Sequence, residues 1–250
     1  MNSLANHIRN RRQISFSFFA ISVLALSSLS AQQTKPTPQK AVERSKKAAA
    51  VLEHAMSNAS ERIPRALLDK VVAIAVVPDV KQAGLLIESL GTGRGVVSRR
   101  GADGGWGPPA FIRLAAMSIG PQIKSNSFDV IMLFMNDRAA GWLVNDKAVM
   151  FDRAKAPVAG PVGEIRAEDN QVIPVADIFS YTVDDGRLQG KDLKNVFKQF
   201  DFSFDNDLNQ ATYGVKARAL LAADKSGPSR IPSEVIVFPD AVTRLFAGNH

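Results

Sequence analysis

The sequence predicts a single α+β domain that is rich in β-structure, in which mainly antiparallel strands form a barrel or a sandwich with a few short flanking helices. Three observations support this fold class: many short apolar and β-branched runs, frequent glycine turns, and few long helical periodicities. Of the 250 residues, 46% are hydrophobic and 22% are charged, which is ordinary for a globular protein with one substantial core. Neither an internal repeat nor a composition break within 63–222 indicates a second domain.

The most distinctive stretch is residues 83–113, where clusters of glycine separate apolar runs. Leu85–Leu90 and Val96–Val97 flank Gly91–Gly95, and a second glycine cluster precedes Trp106. Glycine permits positive φ angles and close backbone approach. The pattern therefore predicts two successive tight antiparallel hairpins, with a turn at each glycine cluster.

The N-terminal residues 1–31 have the pattern of a secretory signal peptide. Three arginines precede the apolar run Ile14–Leu29, and small residues at Ser27–Ala31 suit cleavage after Ser30 or after Ala31. The alternative is an uncleaved membrane anchor, which the short, serine-diluted apolar run disfavours. The two adjacent arginines leave both the general secretory route and the twin-arginine route open. We expect export to the periplasm or the cell envelope.

The net charge is +7, from 31 Lys and Arg against 24 Asp and Glu. Three of these cations lie in the expected leader, so the remaining chain carries 28 cations against 24 acids, a net charge of +4. This mild excess favours anionic surfaces, but it is too sparse to indicate nucleic acid as a partner. The absence of cysteine excludes disulfides, thiolate metal sites and lipid attachment at a cysteine.

The region that follows the leader divides into four expected parts. Residues 32–39 form a polar linker, 40–62 an N-terminal helix, 63–223 the main domain, and 224–250 a C-terminal extension with a short helix. The helix is expected from Lys40 to about Ser60, because apolar residues recur there at helical spacing. Its cationic first turns could contact lipid headgroups, or the helix could pack on the domain with a solvated basic face. The alanine-rich apolar stripe favours packing.

The main domain and the extension contain further predicted elements. Strands are predicted at Val71–Val77, Phe128–Met135, Val149–Phe151, Pro157–Val162 and Ile178–Val183, and along the alternating run Val196–Phe204. Helices are predicted at Arg65–Lys70, Asp137–Asn145, Val215–Ala222 and Ala241–Ala247. The acids Asp201, Asp205 and Asp207 lack the spacing of a calcium loop and predict a turn rich in Asp and Asn.

Catalysis is not indicated by any residue pattern. Only His54 and His250 remain after removal of the leader, one on the predicted helix and one at the C-terminus. Neither forms a plausible pair with a serine nucleophile or a metal-ligand set. We therefore expect no enzymatic activity, no metal and no cofactor.

Several separated motifs occur in an order and spacing that together are specific. They are Ile63-Pro64, Ala83-Gly84, Gly93-Arg94-Gly95-Val96-Val97, Trp106 with Pro108-Pro109, Gly120-Pro121-Gln122-Ile123, Ala159-Gly160-Pro161-Val162-Gly163 and Tyr213-Gly214. In these motifs, residues 63–222 resemble the SYLF lipid-binding domain family, also described as the yeast-type actin-binding SYLF domain, in its secreted bacterial branch. The chain departs from the family pattern at Lys124, where glycine is usual.

The resemblance implies binding rather than catalysis. It leads us to expect binding of anionic phospholipids, with phosphatidic acid or phosphoinositide-like headgroups, by a protein peripheral to the membrane. We do not expect actin as a partner of an exported chain. The alternative is a protein-interaction or scaffold module of the periplasm or cell surface.

Cations near the glycine clusters and on the N-terminal helix are the candidate headgroup ligands. Arginine forks and backbone N–H groups in glycine-rich segments are suited to phosphate. The alternative for each residue is a solvated position that keeps a β-protein soluble. The candidates are Arg94, Arg99, Arg100 and Lys124 of the main domain, and Arg44, Lys46 and Lys47 of the helix.

Overall fold

A computed structural model describes residues 36–58, 60–85, 88–119, 127–145, 148–151, 155–163, 175–197, 199–222, 228 and 230–247. The expected signal peptide and Lys124 lie outside these residues. No helix among the described residues has the length and apolarity needed to cross a membrane.

The described residues form a nine-stranded, mostly antiparallel sheet that curls into a half-barrel. The strands are β1 (Ala73–Leu85), β2 (Glu88–Arg99), β3 (Ala110–Ile119), β4 (Ser127–Phe134), β5 (Ala148–Phe151), β6 (Val158–Ala159), β7 (Ile178–Asp184), β8 (Arg187–Gly190) and β9 (Gln199–Phe204). Their order is β5-β9-β3-β2-β1-β4-β7-β6, with β8 paired to β7. Only β6 and β7 pair in parallel among these strands. The predicted α+β class with mainly antiparallel strands is confirmed.

Short helices flank the sheet. The described part of the chain contains α1 (Pro38–Ser57), α2 (Arg65–Leu68), α3 (Asp137–Asn145), α4 (Leu193–Val196), α5 (Asn206–Tyr213), α6 (Ala217–Leu221) and α7 (Val237–Phe246), with a 3-10 helix at Ser233–Val235. The long helix α1 contacts β1, β2, α5 and α7 through its apolar stripe, of which Ala48 and Leu52 are fully buried. Packing on the domain, the favoured interpretation of this helix, agrees with that burial.

The segment Gly91–Gly95 is part of the continuous strand β2, so the prediction of a turn there is wrong. The adjacent strand β1 is irregular, and its backbone passes very close to β2 at this point. A Cβ atom on Gly95 would overlap the carbonyl oxygen of Val76 and lie 2.8 Å from the Cα of Val77. Glycine is required here by close approach of a neighbouring strand rather than by chain reversal. Arg94 therefore projects from a strand.

The second glycine cluster does form a turn, as predicted. Gly104 has a φ of +81°, and Gly101 N–H donates to the Gly105 carbonyl at 2.7 Å. The turn brings Arg100 and Trp106 into a β-bridge. The Trp106 ring packs edge-on against Phe246 at a centroid distance of 5.6 Å, so this tryptophan is part of the packing between the turn and α7.

The predicted turn from Asp201 to Asp207 is also wrong. Asp201 lies within β9, Asp205 immediately precedes α5, and Asp207 lies in the first turn of that helix. The strand is fixed by Phe200 and Phe202, which are buried inside the half-barrel and outweigh the turn preference of the acids between them.

Candidate functional site

The outer face of β3 changes from buried to exposed along the strand. Phe111 is fully buried there and stacks on Tyr213 at 5.9 Å, whereas Arg113, Ala115 and Met117 on the same face are exposed. Residues at alternate positions share one face of a strand. The helices therefore cover this face only at the Phe111 end, and a groove lies where their cover stops.

This groove has a volume of about 770 Å³. The N-terminal half of α1 forms one wall, and β1, β2 and β3 form the rest, with Ser203 of β9 at one side. Its described lining includes two carboxylates, Glu43 and Asp79, and six cations: Lys40, Arg44, Lys47, Lys81, Arg94 and Arg113. We call it the cationic groove.

Asp205 anchors two of these arginines beneath the groove. Its carboxylate accepts hydrogen bonds from Arg44 at 3.1 Å and from Arg113 at 2.7 Å. The side chains of Asp205 and Arg44 are 6% and 11% exposed, but that of Arg113 is 52% exposed. One buried carboxylate thus fixes both guanidinium groups, while Arg113 still presents donors to solvent.

The pKa of Asp205 reflects this pairing. Burial raises it, but the hydrogen bonds and positive charges of Arg113 and Arg44 outweigh burial, and the pKa lies below its ordinary value. The pKa of Arg44 is lowered, mainly by burial and to a smaller extent by the charges of Arg94 and Arg113, with Asp205 opposing the shift. The charges of Arg94 and Arg113 thus act on Arg44 against the attraction of Asp205.

Arg94 is the cation of the groove whose positive charge is least compensated by acidic side chains. It is paired in register with Arg113 across β2 and β3, so the two side chains share one row of the sheet. Arg94 is exposed and, within the described part of the chain, makes no hydrogen bond or ion pair. By contrast, Lys47 pairs with Glu43 at 3.1 Å and Lys81 with Asp79 at 3.8 Å.

The floor of the groove owes its shape to the irregular part of β1. The register of β1 shifts between Val77 and Val80, and Asp79 adopts a positive φ of 53°. The backbone N–H of Asp79 donates to the Asp129 carboxylate at 2.8 Å, which holds this bend in place. A Cβ on Gly93 would lie 2.5 Å from the Val77 side chain and 3.0 Å from the Val80 side chain, so glycine lets the bend lie against β2.

Three of the sequence-predicted headgroup ligands converge in the cationic groove: Arg94, Arg44 and Lys47. Lys46 points elsewhere and lines a second cleft of about 530 Å³ between α1 and the 3-10 helix, together with Glu43 and Glu234. Lys124 lies outside the described residues.

Arg99 and Arg100 lie away from the groove and hold other parts of the fold. Arg99 donates to the Leu221 carbonyl and to Asp137, both at 3.0 Å, and its side chain is only 13% exposed. Arg100 donates to the Asp69 carbonyl at 3.0 Å, and its guanidinium lies 5.1 Å from the Trp106 ring centroid. These contacts give both residues a structural role.

The candidate set from the sequence omits three cations of the groove: Lys40, Lys81 and Arg113. Their convergence depends on the pairing of β2 with β3 and on the docking of α1, which connect distant parts of the chain. The sequence contains one signal that could have identified Arg113. Arg113, Ala115 and Met117 alternate with apolar residues along β3, and this alternation places Arg113 on a solvent-facing row.

The groove is suited to binding anions. It offers guanidinium and ammonium donors, and the described residues contain no cluster of three or more His, Asp or Glu side chains able to hold a metal. Arginine pairs bind the oxygens of phosphate or carboxylate groups in two-point contacts.

Comparison with known proteins agrees with the resemblance in the sequence. The family model Ysc84, described as "Las17-binding protein actin regulator", matches residues 115–243. The protein named "SH3 domain-containing YSC84-like protein 1" of Rattus norvegicus is 27% identical over 164 residues, which cover 64% of this chain and 48% of the relative. Its Homo sapiens counterpart is 26% identical, with coverages of 64% and 47%.

The chain thus spans about half the length of the curated relatives it matches. No solved structure matches it. The family model covers just over half of the 250 residues, from within β3 to within α7. The family is described by binding and regulation rather than by a reaction. On this match, the chain belongs to the Ysc84 family, whose domain is the SYLF domain.

Proposed function

We propose that this protein binds anionic phospholipids without catalysis, at a membrane surface of the cell envelope that it reaches by export. The observation that carries the proposal is the cationic groove. Six cations converge there against Glu43, Asp79 and the buried carboxylate of Asp205. A phosphate group of a lipid would complete this unbalanced set of donors.

The physical basis is a charge-assisted contact at a partly shielded surface. Hydrogen bonds between guanidinium and phosphate are about twice as strong as neutral hydrogen bonds. Arg113 is preorganised by Asp205, which lowers the entropy lost when it binds an anion. A basic residue near an anionic membrane contributes about 1 kcal/mol, so several cations acting together give measurable binding.

The expected leader favours an anionic lipid over the partners that the family description names. Those partners, Las17 and actin, belong to the proteins for which the family is described. An exported chain meets phospholipid surfaces instead. On this proposal, the members of the family share the domain, whereas the ligand differs with the location of each protein.

Co-sedimentation with lipid vesicles tests the proposal. Purified protein without residues 1–31 is mixed with vesicles of phosphatidylcholine alone, or with added phosphatidic acid, phosphatidylglycerol or cardiolipin. We expect pelleting with each anionic composition and little with the neutral one. Equal pelleting with neutral and anionic vesicles would show that the cationic groove does not direct binding.

A protein-interaction module is the second candidate, favoured by the family description of a protein that binds another protein. It predicts capture of a specific envelope protein that survives removal of lipid by detergent. Such capture, combined with no preference for anionic vesicles, would favour this alternative over lipid binding.

A further inference from the structure

The exposed sheet face does not end at the cationic groove. Ala115 and Ser203 line the groove, and the same face continues across β3, β9 and the edge strand β5. Ala115 pairs in register with Asp201, which pairs in turn with Met150 of β5. Met117 pairs with Gln199 in the next row. We call these five residues the methionine shelf: Ala115, Met117, Met150, Gln199 and Asp201.

The shelf carries two exposed methionines. Met117 is 41% exposed and Met150 is 51% exposed, and they are two of only five large hydrophobic residues with this degree of exposure among the described residues. Both lie on one face of three adjacent strands, and no lysine or arginine occurs among the shelf residues. Methionine side chains are unbranched and adapt readily to irregular apolar surfaces.

We propose that the methionine shelf contacts the glycerol and upper acyl region of an anionic bilayer while the cationic groove binds the headgroup phosphates of the same surface. This inference rests on the proposed function and adds to it the orientation of the protein and a second, apolar contact.

Continuity with the groove is the argument for a bilayer as the occupant. A membrane surface presents phosphate oxygens and apolar chains within a few ångströms of each other. The protein face likewise presents cations and methionines next to each other. Strands rise about 3.3 Å per residue and lie about 4.8 Å apart. The exposed face therefore extends about 13 Å along β3 from Arg113 of the groove to Met117 of the shelf, and about 10 Å from β3 to β5. A shallow tilt of this face is enough to place the methionines below the phosphates.

The one carboxylate of the shelf is compatible with this contact. Asp201 lies between two uncharged cross-strand neighbours, Ala115 and Met150. Partial burial raises the pKa of Asp201, which lowers the cost of taking up a proton near an anionic surface. Its side chain thus opposes apolar contact less than an ordinary aspartate would.

The absence of cysteine allows a direct test by site-specific labelling. Single-cysteine variants Met117→Cys and Met150→Cys carry an environment-sensitive fluorophore, and Gln189→Cys on β8 is the matched control. Gln189 is exposed and lies on a strand that pairs with β7, on the other side of β1 and β4 from the shelf. Vesicles contain phosphatidylglycerol, with or without a spin label at the upper acyl carbons.

We expect a blue shift and spin-label quenching at positions 117 and 150, and neither effect at 189. In addition, the double variant Met117→Gln with Met150→Gln should bind the vesicles about fivefold more weakly, while retaining the preference for anionic lipid. Binding to anionic vesicles with no fluorescence shift at 117 and 150, or with an equal shift at 189, would refute membrane contact by the methionine shelf. It would leave the proposed binding by the cationic groove unaffected. Absence of any binding to anionic vesicles would overturn both the shelf and the proposed function.

Discussion

Arg94 and Arg113 lie directly opposite each other on the antiparallel strands β2 and β3, so two positive charges share one position of the outer sheet face. Like charges in this arrangement destabilise a sheet. Asp205 compensates Arg113 at 2.7 Å, but the described residues provide no equivalent partner for Arg94. The fold therefore carries an unbalanced cation at the groove, as expected where a bound anion completes the site.

Arg94→Gln should weaken binding to phosphatidylglycerol vesicles about fivefold, because one basic residue near an anionic surface contributes about 1 kcal/mol. The free energy of unfolding should remain unchanged or rise slightly, since a repulsive pair is removed. Vesicle co-sedimentation and urea denaturation measure the two quantities.

The matched control for that variant is Arg65→Gln. Arg65 is exposed on α2, outside the groove lining, so its replacement removes the same charge from another surface. Equal loss of binding in the two variants would show that total charge, rather than the groove, governs association.

Asp205→Asn should destabilise the protein by about 2–3 kcal/mol, because a buried arginine loses its charged partner while the exposed Arg113 loses less. The same change removes a negative charge from beneath the groove, which adds about 1 kcal/mol of attraction to an anionic surface, but it also releases Arg113. Vesicle binding by the folded protein should therefore increase by less than about fivefold. Urea denaturation and co-sedimentation below the unfolding transition separate these opposite effects.

The pH dependence of stability provides an independent check on Asp205. Its pKa in the folded state is lower than in the unfolded state, so the folded protein favours the ionised form. The resulting stabilisation is complete above the unfolded-state pKa of about 4 and is lost as the pH falls through the lower folded-state value. The stability gap between wild type and Asp205→Asn should therefore close below about pH 4; a constant gap would refute the ion-pair assignment.

Arg99→Gln should lower stability by about 1–3 kcal/mol without changing lipid affinity. The substitution removes hydrogen bonds to the Leu221 carbonyl and to Asp137, at a site that is 13% exposed. Thermal unfolding followed by circular dichroism measures the first effect, and vesicle binding at 15 °C the second. A selective loss of binding by the fully folded variant would assign Arg99 to the lipid site.

Gly95→Ala should destabilise the protein by about 3 kcal/mol or more, because its Cβ would overlap backbone atoms of β1 at Val76 and Val77. The control is Gly105→Ala in the exposed turn, where the nearest atom is an Asp103 side-chain oxygen at 3.4 Å. We expect that control to stay within about 0.5 kcal/mol of wild type. Similar losses in both variants would contradict the close crossing of β1 and β2.

Asp201→Asn should increase binding to phosphatidylglycerol vesicles at pH 7 by about twofold, because it removes a negative charge from the face that meets the membrane. Burial raises the pKa of Asp201, so the wild-type side chain takes up a proton at a higher pH than an ordinary aspartate. The difference between the two proteins should shrink as the pH falls from 7 to about 4, close to the ordinary pKa of aspartate. A difference that persists unchanged at about pH 4 would contradict this assignment.

Local patterns were sufficient for much of the fold. The helix at Asp137–Asn145 has the predicted bounds, and the strand predicted at Ile178–Val183 is extended by a single residue. Alternation along residues 200–204 correctly placed Phe200 and Phe202 in the core. These elements are determined by the hydrophobic periodicity of their own residues, which a single sequence displays.

The errors arose where a distant element decides the local structure. Gly91–Gly95 has the composition of a turn, but its glycines make room for the backbone of β1, the strand that pairs with β2. Arg99 has the sequence context of a turn cation, but the Leu221 carbonyl that holds it lies 122 residues away. Arg113 joins the groove through strand register and Asp205. Composition cannot show such long-range pairings.

The salt dependence of vesicle binding tests the central claim most directly, with wild type and Arg94→Gln compared on phosphatidylglycerol vesicles from about 50 mM to about 500 mM NaCl. Screening shortens the range of exposed charges from about 14 Å to about 4 Å over this interval. The account predicts strong binding at low salt, a loss of at least about tenfold at high salt, and a shallower loss for Arg94→Gln. Binding that is insensitive to salt, or identical curves for the two proteins, would contradict recognition of anionic lipid by the cationic groove.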